Sequence, residues 1–237
     1  MRVHLVHAHP EPRSFVAAMR DVVIDELQAQ GAAVTLCDLY RSGFNPVLSE
    51  NDFFSRSRPD HLVYALEQRH AYETATLAPD IASEVENVLA ADVLAFTFPI
   101  FWFSVPAILK GWIERVFLSG LMYGGKRLYD RGGLKGKHSF AAMALGGHRR
   151  MFGPGSIHGE LETGLLRHFL QGTLGYIGLA VHKPFVAYHV PYVAPDVRRA
   201  MLVDLRLYIR ALDNQPTLTF PTLDQFDNVL APRSAKL

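Results

Sequence analysis

Cysteine is almost missing from this chain. Cys37 is the only one in 237 residues, so no intrachain disulfide can form, and the usage is that of a reducing, cytoplasmic compartment. Long apolar runs are missing too: no segment approaches the ~20 consecutive apolar residues that span a bilayer. The apolar stretch near Met1 is short, and Glu11 and Arg13 follow it closely, so it does not read as a signal peptide. Charge of one sign is also lacking. The formal net charge is +1, which gives no global pull toward nucleic acid. No H-E-x-x-H or paired-cysteine spacing occurs, which argues against a metal centre. Gly155-Ser156-Ile157-His158-Gly159 misses the G-x-S-x-G pattern of a serine hydrolase. Neither G-x-G-x-x-G nor G-x-x-x-x-G-K-[ST] is present, so any nucleotide is held some other way. Internal repeats and low-complexity tracts are absent.

What is present is hydrophobicity, at 49% of residues, enough for a substantial core. At roughly 100–200 residues per domain, one domain with an extension fits best. The organising stretch is Val93 to Phe98, a short uncharged run that suits a parallel strand buried on both faces. Pro99 ends it, having no N–H for the ladder. Three rings follow, Phe101-Trp102-Phe103, and Pro106 then opens a helix with Ile108, Leu109, Trp112, Ile113 and Val116 at helical spacing. In open α/β sheets, ligands sit at such carboxyl ends of strands. The rings are either loop packing or the wall for a flat apolar ring system.

Around this stretch the pattern predicts strands at Val3 to Ala8, Ala33 to Cys37, Lys137 to Ala144 and Val181 to Val186. Helices are predicted at Phe15 to Gln30, with Ser14 as N-cap and Gly31 closing it, and from Pro79. Further helices are expected at Glu160 to Leu174 and Pro195 to Leu212. Residues 41–78 form a long insert with a helix expected at Asp60 to His70, and its aromatics argue against disorder. The order predicts a doubly wound parallel sheet of about five strands with helices on both faces. The domain is expected over 1–212. A C-terminal extension over 213–237 is expected to wrap over a partner or to be partly disordered.

Several residues suggest chemistry. The loop His9 to Ser14 leads into a helix N-terminus, which suits a phosphate as well as it suits an ordinary cap. Gly146-Gly147 lets backbone approach a ligand closely. His158, in an irregular loop, is either a proton carrier near neutral pH or a solvent or capping histidine. Glu114 reads locally as a partner of Arg115 or Lys110. The group His148-Arg149-Arg150 is either a surface charge cluster or a partner for a cofactor phosphate.

Taken together, Pro99 to Phe117, His9 to Phe15, Gly146-Gly147 with Ile157-His158-Gly159, Asp38-Leu39-Tyr40 and Phe44-Asn45-Pro46 resemble the NAD(P)H:quinone oxidoreductases, flavoproteins of flavodoxin-like fold. The resemblance runs from about Val3 to Arg199 and weakly into the tail. It implies that His9, Ser14 and Phe15 hold the phosphate and adenosine parts of the flavin nucleotide. It likewise implies that Pro99, Ile100, Phe101, Trp102 and Phe103 line the isoalloxazine ring, and that Gly146 and Gly147 donate to its far edge. Glu114 and Arg199 match positions near the adenosine. His158 matches the catalytic histidine, while Trp102, Tyr123 and Phe152 match the substrate mouth.

Three positions depart from the family's pattern. Phe152 stands where a tyrosine accompanies the histidine, Phe101 where glutamine is usual, and Gly125 where a second mouth tyrosine would be. The resemblance further implies hydride transfer from NADH or NADPH through the flavin to a quinone, by turns at one place. The long insert and extension resemble the FAD-binding branch rather than the shorter FMN relatives, and imply a cytoplasmic homodimer whose partners complete each site. Two alternatives stay open: a regulatory subunit of a potassium-efflux transporter, and a reductase of azo or nitro compounds.

Overall fold

The computed structural model describes residues 1–233. Its strands are β1 (Arg2–His7), β2 (Ala33–Asp38), β3 (Val93–Pro99), β4 (His138–Ala144), β5 (Ala180–Val181) and β6 (Phe185–Ala187). Its helices are α1 (Phe15–Ala29), α2 (Tyr64–Glu73), α3 (Pro79–Ala90), α4 (Ala107–Val116), α5 (Arg167–Phe169) and α6 (Pro195–Arg210). All strand pairs are parallel, in the order β2-β1-β3-β4-β5, with β6 also on β4. The order reverses between β1 and β3, which opens a crevice at the carboxyl ends of those strands.

Alternation along the strands builds two cores. Leu94, Phe96 and Phe98 of β3 pack toward α3, α4 and α5, whereas Val93 and Ala95 pack toward α1 and α6. β3 is buried at every position, as an uncharged central strand must be. It runs through Pro99, because pairing needs only the carbonyl there, and the next N–H, of Ile100, reaches Ala144 O at 2.8 Å.

Two expectations are corrected. The edge strand expected at Val181 to Val186 is broken into β5 and β6. Pro184 has no N–H, and the Lys183 N–H turns away to Pro216 O at 3.0 Å. The helix expected at Glu160 to Leu174 is mostly widened, with π turns at Leu161–Leu165 and Leu170–Gly175 flanking α5. Phe169 of α5 meets Phe96 and Phe98 edge-on at 5.5 and 5.4 Å, and the π turns accompany that anchor. The described part of the tail, to Arg233, packs on its own chain. Thr217 bridges His182, Leu218 and Phe220 lie on the core, and Leu223 is buried.

The insert is ordered by one buried cation. Arg115 donates from Nη2 to Asp52 at 2.8 Å, and from Nη1 to Asp80 at 2.7 Å and Asn45 O at 2.9 Å. Its guanidinium also lies 5.0 Å from the Phe44 ring centroid. Glu67 folds the loop before α2 by accepting from Ser57 N, Ser57 Oγ and Arg58 N. No helix among the described residues is long and apolar enough to cross a membrane.

Candidate active site

The loop from His9 to Ser14 is set by short-range polar contacts. His9 Nδ1 accepts from the Glu11 N–H at 3.0 Å, and Glu11 accepts from the Arg13 N–H at 2.9 Å. The Arg13 N–H holds the Glu11 carboxyl below the usual carboxylate range. Ser14 Oγ caps α1 by accepting from the Ala17 N–H at 3.0 Å. The N–H groups of Phe15 and Val16 find no backbone acceptor among the described residues, so the positive end of α1 offers free donors. A cavity of about 510 Å³ begins here, lined by His9, Arg13, Phe15, Val16, Pro99, Ile100, Phe101, Gly146 and Arg198. Arg198 Nη1 donates to Val193 O at 2.9 Å and Val190 O at 3.3 Å, which fixes the guanidinium at the cavity wall.

Beyond Ile100 the chain reverses in one tight turn. Phe101 N donates to Ser104 O at 3.0 Å and Ser104 N to Phe101 O at 2.9 Å. The two residues between have positive φ, 51° at Trp102 and 58° at Phe103. Both central residues of a type I′ turn need that sign, and glycine or asparagine normally supplies it. For an L side chain the left-handed region costs roughly 1–2 kcal/mol per residue. The turn is tied down from outside by Ser104 Oγ, 2.9 Å from His168 Nε2. His168 Nδ1 lies 2.9 Å from Leu165 O. A carbonyl can only accept, so Nδ1 carries a proton, and Nε2 shares a hydrogen bond with the serine hydroxyl.

A second cavity, of about 330 Å³, continues the first through Ile100, Leu145 and Gly146, and is closed by Trp102, Phe103, Gly147, Phe152 and His158. Gly147 cannot carry a side chain easily, because a Cβ would meet the Phe152 ring at 3.1 Å and Leu145 at 3.2 Å. The N–H groups of Trp102, Phe103, Gly146 and Gly147 all lack a backbone acceptor among the described residues. His189 grips the glycine pair through Nδ1, 3.0 Å from Gly146 O, and through its own N–H to Gly147 O at 2.9 Å. His158 stands between two rings, with Phe103 at 4.9 Å and Phe152 at 5.3 Å between centroids. Its N–H donates to Met151 O at 3.1 Å, which holds the glycine-rich loop in place.

The structure thus gathers His9, Phe15, Pro99, Ile100, Phe101, Trp102, Phe103, Gly146, Gly147, Phe152 and His158 along one trough, with Ser14 capping the helix beneath it. Arg199 is not among them. It is exposed and lines neither cavity, while Arg198, one position earlier on α6, faces the trough. Glu114 and Tyr123 also lie elsewhere, in a separate cavity of about 370 Å³ with Tyr64, Gln68 and Tyr176. Glu114 pairs there with Lys110, one of the two partners expected from sequence. Sequence reasoning missed His168 and His189 as anchors, since their partners lie 64 and 43 positions away.

Comparison with known proteins agrees with this geometry. A family profile described as flavodoxin-like fold matches residues 1–208. NAD(P)H dehydrogenase [quinone] 1 of Cavia porcellus is 35% identical over 227 residues, covering 95% of this chain and 82% of that protein. Ribosyldihydronicotinamide dehydrogenase [quinone] of Mus musculus is 37% identical over 206 residues, covering 85% and 87%. Among solved structures, a Klebsiella pneumoniae protein assigned as a quinone reductase superposes with a TM-score of 0.93 at 29% identity, covering 98% of this chain and 94% of that one. An NAD(P)H:quinone oxidoreductase from Methanothermobacter marburgensis gives 0.69 at 25% identity, covering 90% and 96%.

Proposed function

This chain belongs to the flavodoxin-like family of these quinone dehydrogenases, and we propose that it is a flavin-dependent NAD(P)H:quinone oxidoreductase with its reaction centre at the turn 101–104, Gly146-Gly147 and His158. The observation that carries this reading is the set of N–H groups at Trp102, Phe103, Gly146 and Gly147 that find no acceptor among the described residues, around one apolar cavity. That cavity is continuous with the free helix N-terminus of α1. A planar ring with acceptor atoms on two edges and an anionic nucleotide tail is the ligand class those donors fit.

When bound, the flavin would supply the hydride chemistry, accepting from a reduced nicotinamide and passing the hydride to a quinone. The protein's part is orientation and charge. The amides of Gly146 and Gly147 would meet negative charge arriving at the ring's far edge, already aimed and needing no reorganisation. His158 Nδ1 or Nε2 would donate one further hydrogen bond to that charge. Phe152 adds apolar wall but no hydroxyl, so among the described residues His158 brings the one imidazole to the ring cavity. Phe103 and Phe152 flank the imidazole on both sides. Nicotinamide and quinone would use the same face by turns, between Trp102, Phe103 and Phe152.

FAD is the preferred nucleotide in this reading, because the trough extends past the α1 N-terminus to Arg198, room for an adenosine portion. Glu114 and Tyr123 open on a different cavity of their own chain. They would serve the mouth of a partner's site in a cytoplasmic homodimer.

The test begins with the purified protein: its visible absorbance, then chromatography of the nucleotide that heat releases. FAD is the expected result. Failure to take up flavin after reconstitution with FAD and with FMN would refute the reading. In stopped flow, His158→Ala should slow flavin reduction by NAD(P)H about 10²-fold or more, the scale of one lost charge-stabilising donor. An unchanged rate would remove His158 from the mechanism.

A further inference from the structure

The basic group 148–150 has no part in the trough, and the structure separates its members. His148 caps the short turn Arg149–Met151, its Nδ1 accepting from the Arg150 N–H at 3.2 Å. Arg149 reaches into the largest cavity described, about 550 Å³, on the outer side of the broken edge strand, whereas Arg150 does not line it. That volume lies in the range of small-molecule sites.

The walls are amphoteric and sorted by chemistry. Arg149 has no carboxylate within ion-pair distance among the described residues. Its guanidinium lies 5.9 Å from the Tyr188 ring centroid, and the His148 and His189 rings sit 5.4 Å apart beside it. Lys183, the other cation of the lining, is drawn to Glu162 at 3.7 Å. Acceptors come from α6 and the tail, at Asp204 and Gln215, and flat apolar surface from Phe185 and Tyr208. The cavity also adjoins the ring site. Tyr188 packs 5.9 Å from Phe152, and Phe152 packs 5.3 Å from His158.

We propose that this cavity seats the adenosine half of NADPH, with Arg149 taking its 2′-phosphate and Asp204 with Gln215 taking amine and hydroxyl donors of the base and ribose. The proposal rests on the reductase reading above. An unpaired planar guanidinium suits a phosphate dianion. A carboxylate in the same lining suits nucleoside hydroxyls, as in other dinucleotide sites. Aromatic faces between them suit the base. A purely anionic ligand would meet Asp204 and Glu162, and a purely cationic one would meet Arg149; an adenosine phosphate meets each with its complement. The aromatic row from Tyr188 through Phe152 to His158 then leads the nicotinamide end to the ring cavity.

The test is calorimetric titration of the flavin-loaded protein with adenosine 2′,5′-bisphosphate and with 5′-AMP, which lacks the 2′-phosphate. The bisphosphate should bind at least tenfold more tightly. Arg149→Ala should erase that preference, and Arg150→Ala should leave it within twofold. Both arginines are exposed, so neither change threatens the fold. Equal affinity for the two ligands, no binding of either, or equal losses in the two variants would overturn the proposal. Quinone turnover is measured separately. Quinone reduction without bisphosphate preference overturns the cavity assignment alone, and bisphosphate preference without quinone reduction overturns the reductase reading alone.

Discussion

Trp102 offers a direct measure of how much strain the ring site holds. Its side chain is 97% exposed, so truncating it forfeits almost no burial, yet its φ is 51°. The left-handed region costs an L residue about 1–2 kcal/mol. Trp102→Ala keeps that penalty and should change stability by less than ~0.5 kcal/mol, the range of surface substitutions. Trp102→Gly removes the penalty but frees the unfolded chain by about 0.5–1 kcal/mol, leaving a net gain of about 0.5–1 kcal/mol. Trp102→Asn tolerates the left-handed region without glycine's entropy and should gain a similar amount. At 2–4 °C per kcal/mol for a chain of this size, both rises amount to roughly 1–4 °C in Tm. The assay is urea unfolding of flavin-free protein at one fixed concentration, with thermal melts alongside. If Ala stabilises as much as Gly, or if Gly and Asn both destabilise, the strain argument fails.

Three further outcomes follow from the same contacts. Arg198→Ala should weaken flavin retention about 10–100-fold, the worth of a hydrogen bond to a charged group, while Arg199→Ala should leave it unchanged; equilibrium dialysis decides, and equal effects would refute the placement. Asp52→Ala leaves Arg115 buried without its buried carboxylate partner and should cost about 3–5 kcal/mol, with protease cutting within 41–78 before anywhere else; a loss under 1 kcal/mol would refute the lock. His7 is buried beside Thr97 Oγ1 at 2.8 Å, and burial lowers its pKa from 6.5 to about 4. The unfolded chain therefore takes up that proton first. Its contribution is intact above pH 6.5 and is lost as pH falls toward 4, about 3 kcal/mol over that window. His7→Gln should flatten that part of the stability curve, and an unchanged slope would refute the assignment.

How much was legible in the sequence depended on how local its cause was. β3 announces itself because burial on both faces demands an uncharged run. α1 is bounded by the Ser14 cap and by Gly31, whose φ is 80°. The broken edge strand was only half legible: Pro184 inside Val181 to Val186 marks a break locally, but the turning away of the Lys183 N–H depends on the tail returning to it. The π turns depend on the slot between Phe96 and Phe98 that Phe169 fills. Arg198 and Arg199 differ by one position, about 100° around a helix, and only the packing of α6 decides which faces the trough. The strained turn was hidden for the opposite reason: no glycine or asparagine marks it, because distant His168 holds it in place.

That the ring cavity presents peptide N–H groups has a consequence for how this site can vary. Trp102, Phe103, Gly146 and Gly147 each offer a donor that belongs to the backbone. The backbone is fixed by Ser104 with His168 and by His189, outside the cavity. Side chains at 101, 102 and 152 can therefore change without removing a donor to the ring. Under the proposed function, Phe101 and Phe152, two of the three departures from the pattern the resemblance implies, would alter instead the apolar surface that a second reactant meets. The same division predicts where specificity is set. Substitutions at Ser104, His168 or His189 should move flavin binding and spectrum, whereas substitutions at Phe101 or Phe152 should move KM for the quinone and leave the flavin in place. A Phe152→Tyr variant with altered flavin affinity and unaltered quinone KM would reverse that division.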